Sequence, residues 1–171
     1  VRSRGLGDVY KRQVYARFTA ITFTVEYDGN GATGGSTNPS TFTYDKDAIL
    51  PANGFTKTGF NFAGWSYGEQ TYNVGDNVKN LTDTAETLTF SAKWTAKTYN
   101  VEFNGNYAGA ETSTLEFTYD SENNILADAL TRKGYNFLGW NTDKDATEKA
   151  FDAKQNVGNQ LSNGEDVTLY A

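Results

Sequence analysis

A nine-residue phrase used twice constrains this chain more than anything else in it. Lys57–Trp65 reads KTGFNFAGW, and 75 positions later Arg132–Trp140 reads RKGYNFLGW, with Gly, Asn, Phe, Gly and Trp in register. The correspondence extends well beyond the phrase. FTVEYDGNG (Phe23–Gly31) matches YNVEFNGN (Tyr99–Asn106) at an offset of 76, and FTYD (Phe42–Asp45) recurs at Phe117–Asp120 at 75. Tyr72 answers to Phe151, and TFSA (Thr89–Ala92) to TLYA (Thr168–Ala171), both at 79. Every change of length falls between apolar strings, as loops in tandem domains allow. VYARFTAITFTVEY (Val14–Tyr27) aligns without gaps to FSAKWTAKTYNVEF (Phe90–Phe103), so Val14–Phe18 reads as the last strand of a preceding repeat. The expected organisation is a leader at 1–13, that strand at 14–18, a complete repeat at 19–95 and a second repeat at 96–171. The second is expected to stop short of a final Lys-Trp like Lys93-Trp94.

Within each repeat, alternation predicts strands. Ile21, Phe23, Val25 and Tyr27 share one face, as do Tyr99, Val101 and Phe103; Leu88, Phe90, Ala92 and Trp94 form a closing strand. The predicted helix lies before the repeated phrase. Ser121–Gly134 offers Ser121 as N-cap, an apolar set of Ile125, Leu126, Ala129 and Leu130, and Gly134 as stop. In the first copy Pro51 and Asn53-Gly54 interrupt the same stretch, so that helix is expected to be short. Each unit thus reads as an α+β domain of about 75 residues, one short helix on a small sheet.

The phrase itself then reads as a folding device: Gly59 as helix stop, Phe60 and Phe62 on one strand face, Gly64 as a bend, Trp65 in the core. Gly134, Tyr135, Phe137, Gly139 and Trp140 repeat the assignment, and Trp94 closes the first unit. The rival reading is an exposed aromatic platform for sugars. The spacing favours the core, since it accounts for every residue of GFNFAGW but Asn61.

The order V-x-(F/Y)-(D/N)-G-N-G, K-x-G-(F/Y)-x-F-x-G-W and T-L-(Y/F)-A-K-W resembles the Listeria–Bacteroides repeat, also called the internalin B-repeat. The resemblance spans residues 14–171; NGNYAG (Asn104–Gly109) departs from the usual glycine pair. It implies tandem β-grasp-like (ubiquitin- or SUMO-like) domains in extracellular, surface-attached or secreted bacterial proteins, and it implies no catalytic residues.

The residue inventory narrows the chemistry. The chain has neither His nor Cys, which removes disulfides, thiolate ligands and the commonest general base. Residues 1–13 carry net +3 and the rest net −9, so the body repels phosphate and nucleic acid is not an expected partner. The leader lacks the apolar core of a signal peptide, and GLGDVYKRQ looks like a translated sequencing-adaptor end, the alternative being a natural basic arm. No apolar run is long enough for direct membrane insertion. Gly29, Gly31 and Gly34 spell G-x-G-x-x-G, but no helix follows to hold a pyrophosphate. Asp143, Asp145 and Glu148 cluster without the spacing of a Ca²⁺ loop. No cofactor, metal or catalytic residue is expected. The junction Trp94–Tyr99 leaves three residues between strands and no Gly or Pro, so neighbouring repeats are expected to pack closely. The expected role is a spacer or stalk, with adhesion as a further possibility. The alternative is a module binding a host protein or glycan through Tyr67, Tyr72 or Tyr107.

Overall fold

The computed structural model describes residues 14–171; the expected leader at 1–13 lies outside them. In chain order the strands are β1 (Thr22–Asp28), β2 (Gly34–Gly35), β3 (Ser40–Thr43), β4 (Ala48–Ile49), β5 (Phe55–Thr56) and β6 (Phe60–Tyr67). There follow β7 (Gln70–Tyr72), β8 (Asn77–Val78), β9 (Thr87–Ala96), β10 (Thr98–Asn104), β11 (Thr112–Thr118) and β12 (Val167–Tyr170). No helix occurs among the described residues. The expected α+β, β-grasp-like class with a helix in each unit is therefore overturned: the protein is all-β.

The first unit is built on a five-stranded sheet ordered β3-β1-β9-β6-β7. β1 runs parallel to β9, and the other neighbours are antiparallel. Alternation places Phe23, Val25 and Tyr27 of β1 and Leu88, Phe90 and Ala92 of β9 inward, where all are buried. The second unit pairs β10 antiparallel to β11 and parallel to β12, over Tyr99, Val101, Phe103 and Leu169. Trp65 and Trp140 are fully buried at the two core centres. Trp65 packs on Tyr27 and Phe62, and Trp140 on Phe103 and Phe137, with ring centroids 4.7–5.1 Å apart.

An extended strap takes the place of each expected helix. In the first unit β4 pairs with β8, and Trp65 Nε1–H donates to the carbonyl of Pro51 at 3.2 Å. In the second, Ile125 bridges Asn156, Leu126 N–H donates to Gln155 O, and Trp140 Nε1–H reaches Ala127 O at 3.4 Å. Two local preferences defeat the helix. Asn123 and Asn124 are poor helix formers whose amides compete for backbone groups. Asn124, only 2% exposed, donates through Nδ2 to Thr118 O and Gly158 O. Ser121, the expected N-cap, instead accepts the Asn123 N–H in a local turn. Leu126 then points inward while Ile125 is left in solvent, a period of two and not 3.6.

Gly59 and Gly134 consequently stop no helix. Each is the third residue of a tight turn, with Phe60 N–H donating to Lys57 O and Tyr135 N–H to Arg132 O, both at 3.1 Å. Their φ values of +77° and +83° suit the glycine position of a type II turn. Gly64 lies at a register shift in the β6–β9 ladder, between Phe62 and Gly64. A Cβ there would come within 2.7 Å of Tyr72 O, and one on Gly139 within 2.4 Å of Phe151 O.

Candidate functional site

Two places in this fold offer more than packing: the seam between units, and a groove at the far side of the second unit. At the seam only Lys97 separates β9 from β10, fewer residues than the sequence suggested. Its backbone is fixed at both ends, since Lys97 N–H donates to Gly59 O and Lys97 O accepts from Tyr119 N–H, each at 2.9 Å. Its ammonium pairs with Glu165 at 2.7 Å. Phe60 meets the Tyr119 ring edge to face at 5.5 Å, and the Lys57 ammonium covers the Phe60 ring at 4.6 Å. Gly59 is tightly enclosed as well: a Cβ there would lie 2.2 Å from the Tyr119 ring. Phe60 therefore serves the neighbouring unit, a role that strand alternation does not reveal. The only sequence signal was the Tyr of FTYD, present in both units beside an Asp that must turn the chain.

That Asp has its own task. Asp45 and Asp120 adopt φ of about +60°, and each exchanges hydrogen bonds with an Asn of a distant loop, Asn80 or Asn159. Sequence reasoning missed both clamps, because Asn80 and Asn159 are unremarkable loop residues until the fold brings them in.

The groove becomes intelligible when the two units are compared. In the first, β6 from Phe60 to Phe62 pairs with β9 from Ala96 back to Trp94. The Trp94 indole packs on Phe62 at 5.7 Å and donates to Gly29 O at 2.9 Å. In the second, Asn141 exchanges hydrogen bonds with Tyr170, as Ser66 faces Ser91 in the first. Beyond Asn141 the ladder stops. The stretch Asn136–Gly139 pairs with no strand among the described residues, and a cavity of about 270 Å³ opens beside it, lined by Gly105, Leu130, Phe137, Leu138 and Ala171. Gly105 and Phe137 are the counterparts of Gly29 and Phe62. At its rim the Arg132 guanidinium lies between the rings of Tyr107 and Tyr135, 4.5 and 3.8 Å from their centroids. Tyr135, the counterpart of Phe60, is 64% exposed.

The other residues singled out from sequence fall into ordinary structural places. Asn30 and Gly31, at φ +47° and +79°, form the two centres of a tight turn closed by Ala32 N–H on Gly29 O, so the glycine motif is a turn. Asp143 accepts the Asp145 N–H, and Asn141 binds both Asp143 N–H and Glu148 O, which orders an exposed loop. Among the described residues no cluster of three or more acidic side chains is placed to hold a metal. Tyr67 and Tyr72 are half-buried and pack on Phe90 at 4.9 and 5.4 Å; Tyr107 carries Arg132 on its face.

Two all-β units joined by one residue, with equivalent side chains filling equivalent places, define a tandem structural repeat. The profile of the Listeria-Bacteroides repeat domain matches residues 23–93 and 99–171, and the chain belongs to that family. It is 32% identical over 162 residues to a putative membrane protein of Evansella cellulosilytica, which covers 92% of this chain and 23% of that protein. It is 29% identical over 163 residues to a putative Gly-rich membrane protein of the same organism, covering 88% and 18% respectively. The chain thus spans less than a quarter of the length of these curated relatives.

Proposed function

We propose that the chain is a non-catalytic spacer in the exposed part of a bacterial surface protein, its units stacked as a stiff stalk. The carrying observation is the seam. A flexible linker leaves its backbone groups to water, whereas Lys97 gives both of its own to the two units it joins. The ring pair of Phe60 and Tyr119 and the close approach at Gly59 add contacts that a rotation between units would break. The names of the relatives, a putative membrane protein and a putative Gly-rich membrane protein, each much longer than this chain, support a surface location for such a segment.

The absence of natural cysteine makes the test clean. Spin labels on Glu69→Cys and Asp145→Cys, both exposed and in different units, should report one narrow distance distribution. A broad distribution, as for units on a flexible tether, would overturn the stalk.

A further inference from the structure

The dipeptide Asn-Gly occurs four times in the chain, beginning at Asn30, Asn53, Asn104 and Asn163. Its glycine has no side chain to shield the backbone nitrogen, which can therefore reach the asparagine side-chain carbonyl. The fold restrains three of the four. Asn30 donates through Nδ2 to Ala92 O at 2.9 Å, and its φ of +47° belongs to a tight turn. Asn53 spends both ends of its amide on Phe55, donating to its carbonyl and accepting its N–H, while Gly54 N–H donates to Thr37 Oγ1, all at 2.9 Å. Asn104 accepts the Asn106 N–H, also at 2.9 Å. Asn163 differs. It is exposed, and neither its side-chain amide nor the Gly164 N–H has a hydrogen-bond partner among the described residues.

We propose that Asn163 is a self-modifying site, converted without an enzyme to aspartate and isoaspartate ahead of the other three, and that the new carboxylate arises beside the Lys97–Glu165 pair. The Gly164 nitrogen attacks Cγ of Asn163 and gives up its proton, and Nδ2 leaves as ammonia, closing a succinimide. Water then opens the ring. Opening at Cγ gives aspartate; opening at the main-chain carbonyl gives isoaspartate, with one more methylene in the backbone. No oxidant or reductant is consumed. Asn163, Lys97 and Glu165 line one cleft together with Lys57, so the added charge enters a place that holds two ammonium groups. The loop has little slack. Glu165 N–H donates to Ser162 Oγ at 2.8 Å, and a Cβ on Gly164 would lie 2.7 Å from the Lys97 side chain. A methylene inserted between Ser162 and Glu165 therefore shifts the carboxylate that Lys97 holds at 2.7 Å. In the first unit Thr84-Ala85 takes the matching place at the offset of 79, and that dipeptide has no amide to lose.

Peptide mapping by mass spectrometry of the whole folded chain, aged in mildly alkaline buffer, tests this. The need to break a restraining hydrogen bond slows ring closure about tenfold, so Asn163 should convert about tenfold faster than Asn30, Asn53 or Asn104. In urea, where the fold restrains none of them, the four should convert at similar rates. Asn163→Thr, an exposed substitution outside both cores, should abolish the first acidic species to form. Another Asn-Gly that converts as fast as Asn163 in the folded chain overturns the proposal. So does a preference for Asn163 that persists unchanged in urea, since the sequence and not the fold would then select it.

Discussion

Replacing Gly59 by alanine tests whether the seam is a built contact or a coincidence of adjacency. Two penalties combine at this position. The first is conformational, because φ of +77° is left-handed and an L-residue there costs about 1–2 kcal/mol. The second is steric: the new methyl would lie 2.2 Å from the Tyr119 ring, so the ring must leave its place against Phe60. An edge-to-face pair of this kind contributes about 0.5–1.5 kcal/mol beyond its buried area. Gly134→Ala is the internal control. It occupies the same turn with φ of +83°, but its methyl meets open space and incurs only the first penalty. Gly59→Ala should therefore destabilise by about 1 kcal/mol more than Gly134→Ala, and only Gly59→Ala should broaden the distance between labels at positions 69 and 145. Urea titration followed by tryptophan fluorescence reads the first difference, with Trp65 and Trp94 in the first unit and Trp140 in the second. Equal losses for the two variants, with a distance that stays narrow in both, would refute the reasoning.

Other expectations are equally concrete. The Tyr99 hydroxyl is a buried side-chain group without a hydrogen-bond partner among the described residues, and its counterpart in the first unit is Phe23. Tyr99→Phe should stabilise by about 1 kcal/mol, read as a raised denaturation midpoint. Burial holds the phenols of Tyr99 and Tyr27 above the usual tyrosine range. For a folded-state pKa raised in this way the stabilisation is complete below about pH 10 and is lost as pH rises through the folded value. Tyr99→Phe should accordingly delay alkaline unfolding, and an unchanged alkaline midpoint would count against it. Asn124→Ala strands the carbonyls of Thr118 and Gly158 and should cost about 2 kcal/mol in thermal unfolding. Amide exchange should be fast at Asn136–Leu138 and slow at Phe60–Phe62, whose β6 segment is paired.

What the sequence disclosed and what it withheld divide along a physical line. Family and repeat were legible, because FTVEY, FTYD and GFNFAGW recur at fixed offsets, and alternation gave the inward faces of β1, β9 and β10. Such patterns are local and survive in a string. The straps were not legible: Ile125, Leu126, Ala129 and Leu130 satisfy a helical stripe, and only the pull of Asn124 on Thr118 and Gly158 shows that an extended path wins. The seam was hidden for a different reason. A glycine before an aromatic reads the same whether it ends a helix, makes a turn or admits a neighbour's ring. In this protein Gly59 does the last two, and Gly134 makes the turn with no ring against it. Sequence identity between the two phrases therefore conceals a difference in environment. GFNFAGW is a finished seam backed by β9, whereas in GYNFLGW the stretch Asn136–Gly139 pairs with no strand among the described residues. A repeat of this kind carries its assembly information in the ends of its sheet, where one unit's closing strand and the next unit's turn meet. Substitutions at Gly59, Phe60, Lys97 and Tyr119 should thus alter how units stand on one another while leaving each core, centred on Trp65 or Trp140, folded.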